Sequence, residues 1–337
     1  MNKKNYFLIL FLSLLIGNCF VPFVNGDNTI HKNNEIPHNL DHIGKSYKIK
    51  TYTEHAPIMI DSNADFIAYG CTGNGTIDNP YIIQELNITA IGATISGIKV
   101  TTTTAYFEIK NCLILSEYIG ILLNQVAFGT GKIIDNICIS STEDGGGILL
   151  SSTNGCNITG NECANFMAGI HLNNAGSNII DSNIILNNHY QGINIRNSDS
   201  NNITYNLIFD SEEHGLALIV SSYNNIVHHN FFINNSKAEE YTIDGERTGT
   251  IGSQGYDEGT NNIWYDAEGK YGNHWSDYKG RGDYAIDGPS NSVDIYPLTL
   301  TNTESYSQSI SSIISAIITI FIGFKFLNKK KKGKNIL

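Results

Sequence analysis

Through the middle of this chain, apolar and polar residues alternate at a spacing of two, and the alternating segments return at a near-constant interval. Six of them open with Gly, then Ile or Leu, then a second apolar residue two places on: Gly97 (GIKV), Gly120 (GILL), Gly147 (GILL), Gly169 (GIHL), Gly192 (GINI) and Gly215 (GLAL). Successive glycines lie 23, 27, 22, 23 and 23 residues apart. The position between the two apolar residues varies through Lys, Leu, Leu, His, Asn and Ala. Such alternation marks a strand with one face buried. An Asn follows each Gly after 14 to 16 residues: Asn111, Asn136, Asn161, Asn183, Asn206 and Asn230. Two places past it stands another inward column, Leu113, Cys138, Cys163, Ile185, Ile208 and Phe232, and a third short strand is expected at Ile158, Ile180, Ile203 and Val227.

A unit of about two dozen residues holding three strands has no room for a helix. One coil per unit predicts an all-β protein, a single-stranded parallel β-helix, with equivalent strands ~4.8 Å apart and like side chains stacked in columns. At the corners, Gly is expected because it reaches positive φ without strain. Asn shares that tolerance and can also stack its amides along a column. The Leu-x-x-Leu-x-Leu spacing of leucine-rich repeats is absent.

Composition narrows the picture. A chain that is 41% hydrophobic and 16% charged is globular, and one rich in Gly, Asn, Thr and Ile is not helical. Both ends carry membrane signals. Lys3 and Lys4 precede the apolar run 6–16, so residues 1–26 read as a secretory signal peptide, an uncleaved anchor being the alternative. Residues 310–327 form an apolar stretch of 18 residues followed by a basic tail, 328–337, which predicts one transmembrane helix with the tail in the cytoplasm. The remaining divisions are a linker, 27–50, an N-terminal cap, 51–90, the coils, 91–235, a closing segment, 236–299, and a stalk, 300–309. All 32 acidic residues lie within 27–308 with only 13 of the 21 basic ones, which leaves that region at −19 and excludes nucleic acid as a partner.

These coils resemble the right-handed parallel β-helix proteins of the NosD-like family, which carry a carbohydrate-binding and sugar-hydrolysis (CASH) domain on a pectin-lyase-like solenoid. Two flanking stretches share the resemblance: "GNGTIDNPYIIQEL" before the coils, and "GNHWSDY" with "IDGPSNSVDIYPL" after them. It spans residues 55–299 and implies a right-handed coil, an extracellular glycan or envelope component as partner, and two alternatives: a polysaccharide lyase or glycoside hydrolase, or a copper-delivery accessory. For copper the candidates are His171, His189, His214, His228, His229 and His274 with Met59 and Met167, but the histidines occupy different registers.

For catalysis, Glu117 and Asp144 each precede their Gly by three residues, so their carboxyls can stack about one coil apart; His189 and Glu212 share that position in later coils. A retaining glycosidase needs carboxyls ~5–5.5 Å apart. Arg196 with Asp181 and Asp199 imitates a lyase set. In the closing segment Trp264, Trp275, Asp277 and Tyr278 are ligand-stacking candidates, and Asp277, Asp283, Asp287 and Asp294 are calcium candidates. Many relatives carry a richer acidic run after the Trp motif than the "GRGDYAIDG" found here. No resident cofactor is called for. Cys138 and Cys163 share a column as a thiol ladder or a disulfide. Asn74, Asn87, Asn157, Asn202 and Asn234 are sequons for an exported chain.

Overall fold

The structure, a computed structural model, describes residues 52–299 apart from 93, 238–239, 244–245 and 251. Segments 1–26, 27–50, 300–309, 310–327 and 328–337 therefore lie outside the described residues, and with them the signal-peptide and membrane-span expectations. Among the described residues no helix is long and apolar enough to cross a membrane.

The described chain winds through three parallel sheets. Sheet 1 holds the Gly motifs in eight strands, from Ile58–Ile60 to Gly255–Asp257. Sheet 2 has seven strands, from Tyr81–Gln84 to Ile226–His228, and sheet 3 has nine, from Thr53–His55 to His274–Trp275. Each strand pairs with its equivalent one coil away, as in Ile148↔Ile170↔Ile193↔Leu216. The stacked columns are therefore real: Ile158, Ile180, Ile203 and Val227 lie in register and are fully buried, and Cys138 pairs with Cys163. All five cysteines of the described region are free thiols, and burial pushes those of Cys112 and Cys156 up to about 12.

Two expectations about the corners are corrected. The six motif glycines do not take positive φ. They are needed for close approach: a Cβ on Gly147 would lie 2.5 Å from the Gly169 carbonyl oxygen and 2.8 Å from Cys163 Sγ. Alanine at Gly147 should cost about 1–3 kcal/mol by overpacking. At Gly146, where the nearest obstacle is 3.8 Å away, alanine should leave the thermal melt near that of the parent.

The second correction concerns Asn. Asn136, Asn161, Asn183, Asn206, Asn230 and Asn273 form a buried ladder in which each Nδ2 donates to the next Oδ1 at 2.9–3.0 Å. The ladder residue below Asn136 is Cys112, whose N–H donates to Asn136 Oδ1 at 3.0 Å. Asn111 is thus one residue out of register, and the column partner of Cys138 is Ile114 rather than Leu113. Positive φ belongs to the residue just before the ladder: Asn111, Asp135, Gly160, Ser182, Tyr205 and His229. A second ladder, Asn178, Asn201, Asn225 and Asn262, runs along the corner between sheets 1 and 2.

Both flanking segments contribute strands as well as ends. Residues 53–90 supply the first strand of every sheet, and the six-residue helix Asn63–Ala68 places Phe66, fully buried, across the open end in a stack on Tyr81 at 4.8 Å. At the far end Gly255–Asp257 and His274–Trp275 extend sheets 1 and 3. There Trp275 stacks on Phe232 at 4.3 Å and on Tyr284 at 4.0 Å.

Candidate functional site

Outward positions decide what the solenoid can touch, and the three faces differ. The outward positions of sheet 3 include Leu113, Leu115, Ile139, Leu186 and Leu207, all of them buried. Sheet 2 carries Glu108, Lys110, Lys132, Asn157, Asp181, Asn202 and Thr204 at its outward positions, and sheet 1 mixes polar and apolar ones. Along the axis one outward row reads Asn124, Ser151, Asn173, Arg196, and a second reads Leu122, Leu149, His171, Asn194. Period-two alternation put Ile and Leu inside on these strands, so the intervening residue necessarily faces out.

On the two rungs of His171 and Asn194, corner residues join the row. Asn194 Nδ2 donates to Gln191 Oε1 at 3.0 Å, and Gln191 Nε2 donates to Glu213 Oε2. Just outside, His189 Nδ1 meets Glu212 Oε2 at 3.0 Å. Nε2 of His171 and Oδ1 of Asn194 are enclosed and make no hydrogen bond with the protein. Burial first, and then the positive charge of Arg196, lowers the His171 pKa to about 4. The imidazole is therefore neutral at physiological pH.

The same shift predicts a pH dependence. His229 and His274 are also held near about 4, chiefly by burial, against about 6.5 for a free histidine. Between those values the unfolded chain binds protons that the folded one refuses. Stability is then fully present above about pH 6.5 and declines as pH falls towards 4. Urea midpoints should drop across that window, and a flat profile would contradict it.

The sequence candidates separate under this geometry. His189 and Glu212 do come together, as a half-exposed pair with Nδ1 and Oε2 in hydrogen-bonding contact. Glu117 Oε2 is turned back to the Gly92 N–H at 2.7 Å, while Asp144 is exposed in a corner three residues longer than its equivalent. The lyase set comes apart. Arg196 lies on sheet 1, whereas Asp181 is outward on sheet 2, accepting from Ser182 Oγ at 2.8 Å and Thr204 Oγ1 at 2.7 Å, and Asp199 sits at the intervening corner.

Trp264 and Trp275 have no exposed surface, so neither offers a face to a sugar. Their indole N–H groups donate to Asp257 Oδ2 at 3.1 Å and Asp294 Oδ2 at 3.0 Å. Asp287 accepts from Gly252 and Ser253 N–H at 2.8 and 2.9 Å and meets His214 Nε2 at 3.1 Å. Burial pushes Asp287 upward, but those partners outweigh it and hold the carboxyl below the usual range. Asp294 goes the other way, raised because burial outweighs its hydrogen bonds. Two of the calcium candidates are thereby engaged by protein donors. Asp277 accepts from Gln254 Nε2 at 2.6 Å and Tyr284 OH at 3.0 Å, Tyr278 OH donates to the Gly282 carbonyl at 2.6 Å, and Asp283 is exposed.

Among the described residues no group of three His, Cys, Asp or Glu is placed to hold a metal. The histidines scatter: His171 on sheet 1, His214 buried at the closing segment, His228 beside His229 at the end of sheet 2, and His274 on sheet 3. Of the sequons, Asn74, Asn202 and Asn234 are exposed, Asn157 is half-buried, and Asn87 donates to Glu54 at 2.7 Å. The Gln191–Glu213 pair escaped sequence reasoning because the two lie 22 residues apart in different positions of the repeat.

Solved structures with a similar fold include a periplasmic alginate epimerase, AlgG, with TM-score 0.44 and 18% identity over 76% of this chain and 64% of that one. The A-module of the Azotobacter vinelandii mannuronan C-5 epimerase AlgE4 aligns with TM-score 0.35 and 11% identity over 64% of this chain and 75% of that one. The Agl-KA catalytic domain gives TM-score 0.38 and 14% identity over 62% and 46%. The chain spans less than two thirds of the AlgG and Agl-KA chains. No curated protein sequence matches it. Residues 96–263, which contain all six Gly-motif coils described above, match the family model for a right handed beta helix region.

Proposed function

We propose that the outer face of sheet 1 binds an extended extracellular polysaccharide, and that residues 310–327 hold the solenoid at the outside of the cell membrane. One observation carries the binding reading. On this face, rungs ~4.8 Å apart present hydrogen-bonding side chains in continuous rows: Asn124, Ser151, Asn173 and Arg196, with His171 and Asn194 beside them. A polymer of hydroxyl-bearing rings, each about as long as one rung step, repeats its donors and acceptors in the same rhythm. Ser151 and the amides of Asn124 and Asn173 can each donate and accept, as sugar hydroxyls require.

The membrane and export parts rest on residues 1–26 and 310–337 as sequence, with the acidic region lying between them. A second reading, chemistry on an acidic sugar, is favoured by one pairing: an imidazole kept neutral beside a guanidinium supplies a proton acceptor next to a positive charge.

The test is an array of microbial polysaccharides probed with the detergent-solubilised full chain. Binding is expected, with at least a tenfold loss for His171→Ala and for Asn194→Ala. Release of unsaturated or shortened sugars would favour the second reading. A folded chain that binds no glycan would overturn the first.

A further inference from the structure

Histidines join the closing segment to the last coil at two different corners. At the corner between sheets 2 and 3, His228 ends the strand Ile226–His228 and His229 turns the chain at φ 59°. Their Nδ1 atoms meet at 2.5 Å. His229 lies flat on Tyr271 of the closing segment, with ring centroids 4.2 Å apart and planes within 2°, and Tyr205 of the preceding coil leans on it at 4.8 Å. The His229 N–H also donates to the Gly272 carbonyl at 2.7 Å. Beyond the corner, His274 of the closing segment stacks on Phe231 at 4.3 Å, both of its ring nitrogens enclosed without a hydrogen bond. At the corner between sheets 3 and 1, His214 Nε2 meets Asp287 Oδ2 of the closing segment at 3.1 Å.

We propose that mild acid unfastens the closing segment from the corner of sheets 2 and 3, while His214 and Asp287 keep it tethered beside sheet 1. The C-terminal end of the solenoid then opens on one side and recloses at neutral pH. Opening bares the last edges of sheets 2 and 3, which are otherwise paired with Ile263 and His274. The inference is independent of the glycan reading.

Geometry sets the opposite responses. Two neutral imidazoles share one hydrogen between their Nδ1 atoms, one donating and the other accepting. When both rings are protonated, both nitrogens carry hydrogen and like charges face each other, so the contact repels. Burial lowers His228, and burial with the charge of His228 lowers His229 to about 4, each opposed by Asp266 of the closing segment. The remaining titratable neighbours are Tyr271 and Tyr205, the latter raised by burial and by Asp181 and Asp266. His274 is lowered to about 4 by burial, against the pull of the Thr299 carbonyl. Since a free histidine titrates near about 6.5, the closed end is fully held above that pH and weakens as pH falls towards 4. At the other corner a protonated His214 faces a carboxylate held below the usual range, so attraction strengthens there.

The chain has two tryptophans, Trp264 and Trp275, and both are fully buried in the closing segment, so their emission reports this end alone. The detergent-solubilised full chain is titrated from neutral pH to about 4.5, within the histidine window. The emission maximum should move to the red while the far-UV β signal persists, and it should return on neutralisation. His229→Phe keeps a ring on Tyr271 but takes no proton, and should hold the maximum in place. Asp266→Asn is the second variant: it retains an acceptor for the Glu268 and Gly269 N–H groups and should move the transition down by about half a pH unit. His214→Gln cannot gain charge at the tether, and its red shift should exceed the parent's. No red shift, a shift that coincides with loss of the far-UV signal, or one unchanged in both His229→Phe and Asp266→Asn overturns the inference. A shift in His214→Gln equal to the parent's overturns the tether.

Discussion

Alanine at Asp257 should loosen the C-terminal end of the solenoid before the rest of it melts. Its carboxylate is fully buried and accepts four hydrogen bonds: Gly259 N–H at 2.8 Å, Asn262 Nδ2 at 2.8 Å, Trp264 Nε1 at 3.1 Å and Ser292 Oγ at 2.7 Å. Removing the acceptor strands several donors in the interior, each worth about 1–3 kcal/mol. The whole change should cost about 3–5 kcal/mol, the range for breaking a buried charged network. Because each coil of a stack leans only on its neighbours, the loss should stay local at first. Near-UV circular dichroism of Trp264 and Trp275 should therefore fade at a lower temperature than the far-UV β signal. Coincident transitions at the parent temperature would rule this account out. Asp257→Asn keeps one acceptor oxygen and should fall between the two.

A contrast within one side-chain type provides the second large effect. Asn206→Ala removes a residue whose Nδ2 donates to Asn230 Oδ1, Ile180 O and Thr204 O, each at 2.9 Å, and whose Oδ1 accepts from both Asn183 N–H and Nδ2 at 2.9 Å. With these groups buried, about 2–4 kcal/mol should be lost. Asn111→Gly, at a positive-φ corner outside the ladder, should change stability by less than about 1 kcal/mol, since glycine adopts that backbone freely. Chemical denaturation of the two variants measures the difference. Equal losses would contradict the register described here.

That register shows where reading the chain succeeded and where it slipped. Every coil from Gly120 onward was legible because the same column residues recur at each turn. The first coil misled: Asn111 stands beside the true ladder position, and Cys112 fills it through its backbone N–H alone. The tryptophans misled differently. Trp and Tyr near a run of acids suit a sugar platform or an ion site equally well as sequence, yet here the acids and the indoles satisfy each other in the interior. Of the candidate pairs, His189 with Glu212 was legible because both occupy one repeat position, so the stacking that aligns strands also brings their side chains together. Arg196 and Asp181 are 15 residues apart in sequence yet stand on different faces, because a corner intervenes.

By itself the sequence determined the coil: period, inward columns and the two-residue alternation are local properties, and each turn repeats the same packing problem. Only the tertiary structure decided what the glycines are for, which Asn form ladders, and which outward side chains share a face. Those depend on distances between residues one or more turns apart, where a three-residue lengthening of a single corner re-aims everything on it. The same holds for the closing segment, whose sequence departs from the repeat, so nothing local says which of its acids face water and which hold the indoles.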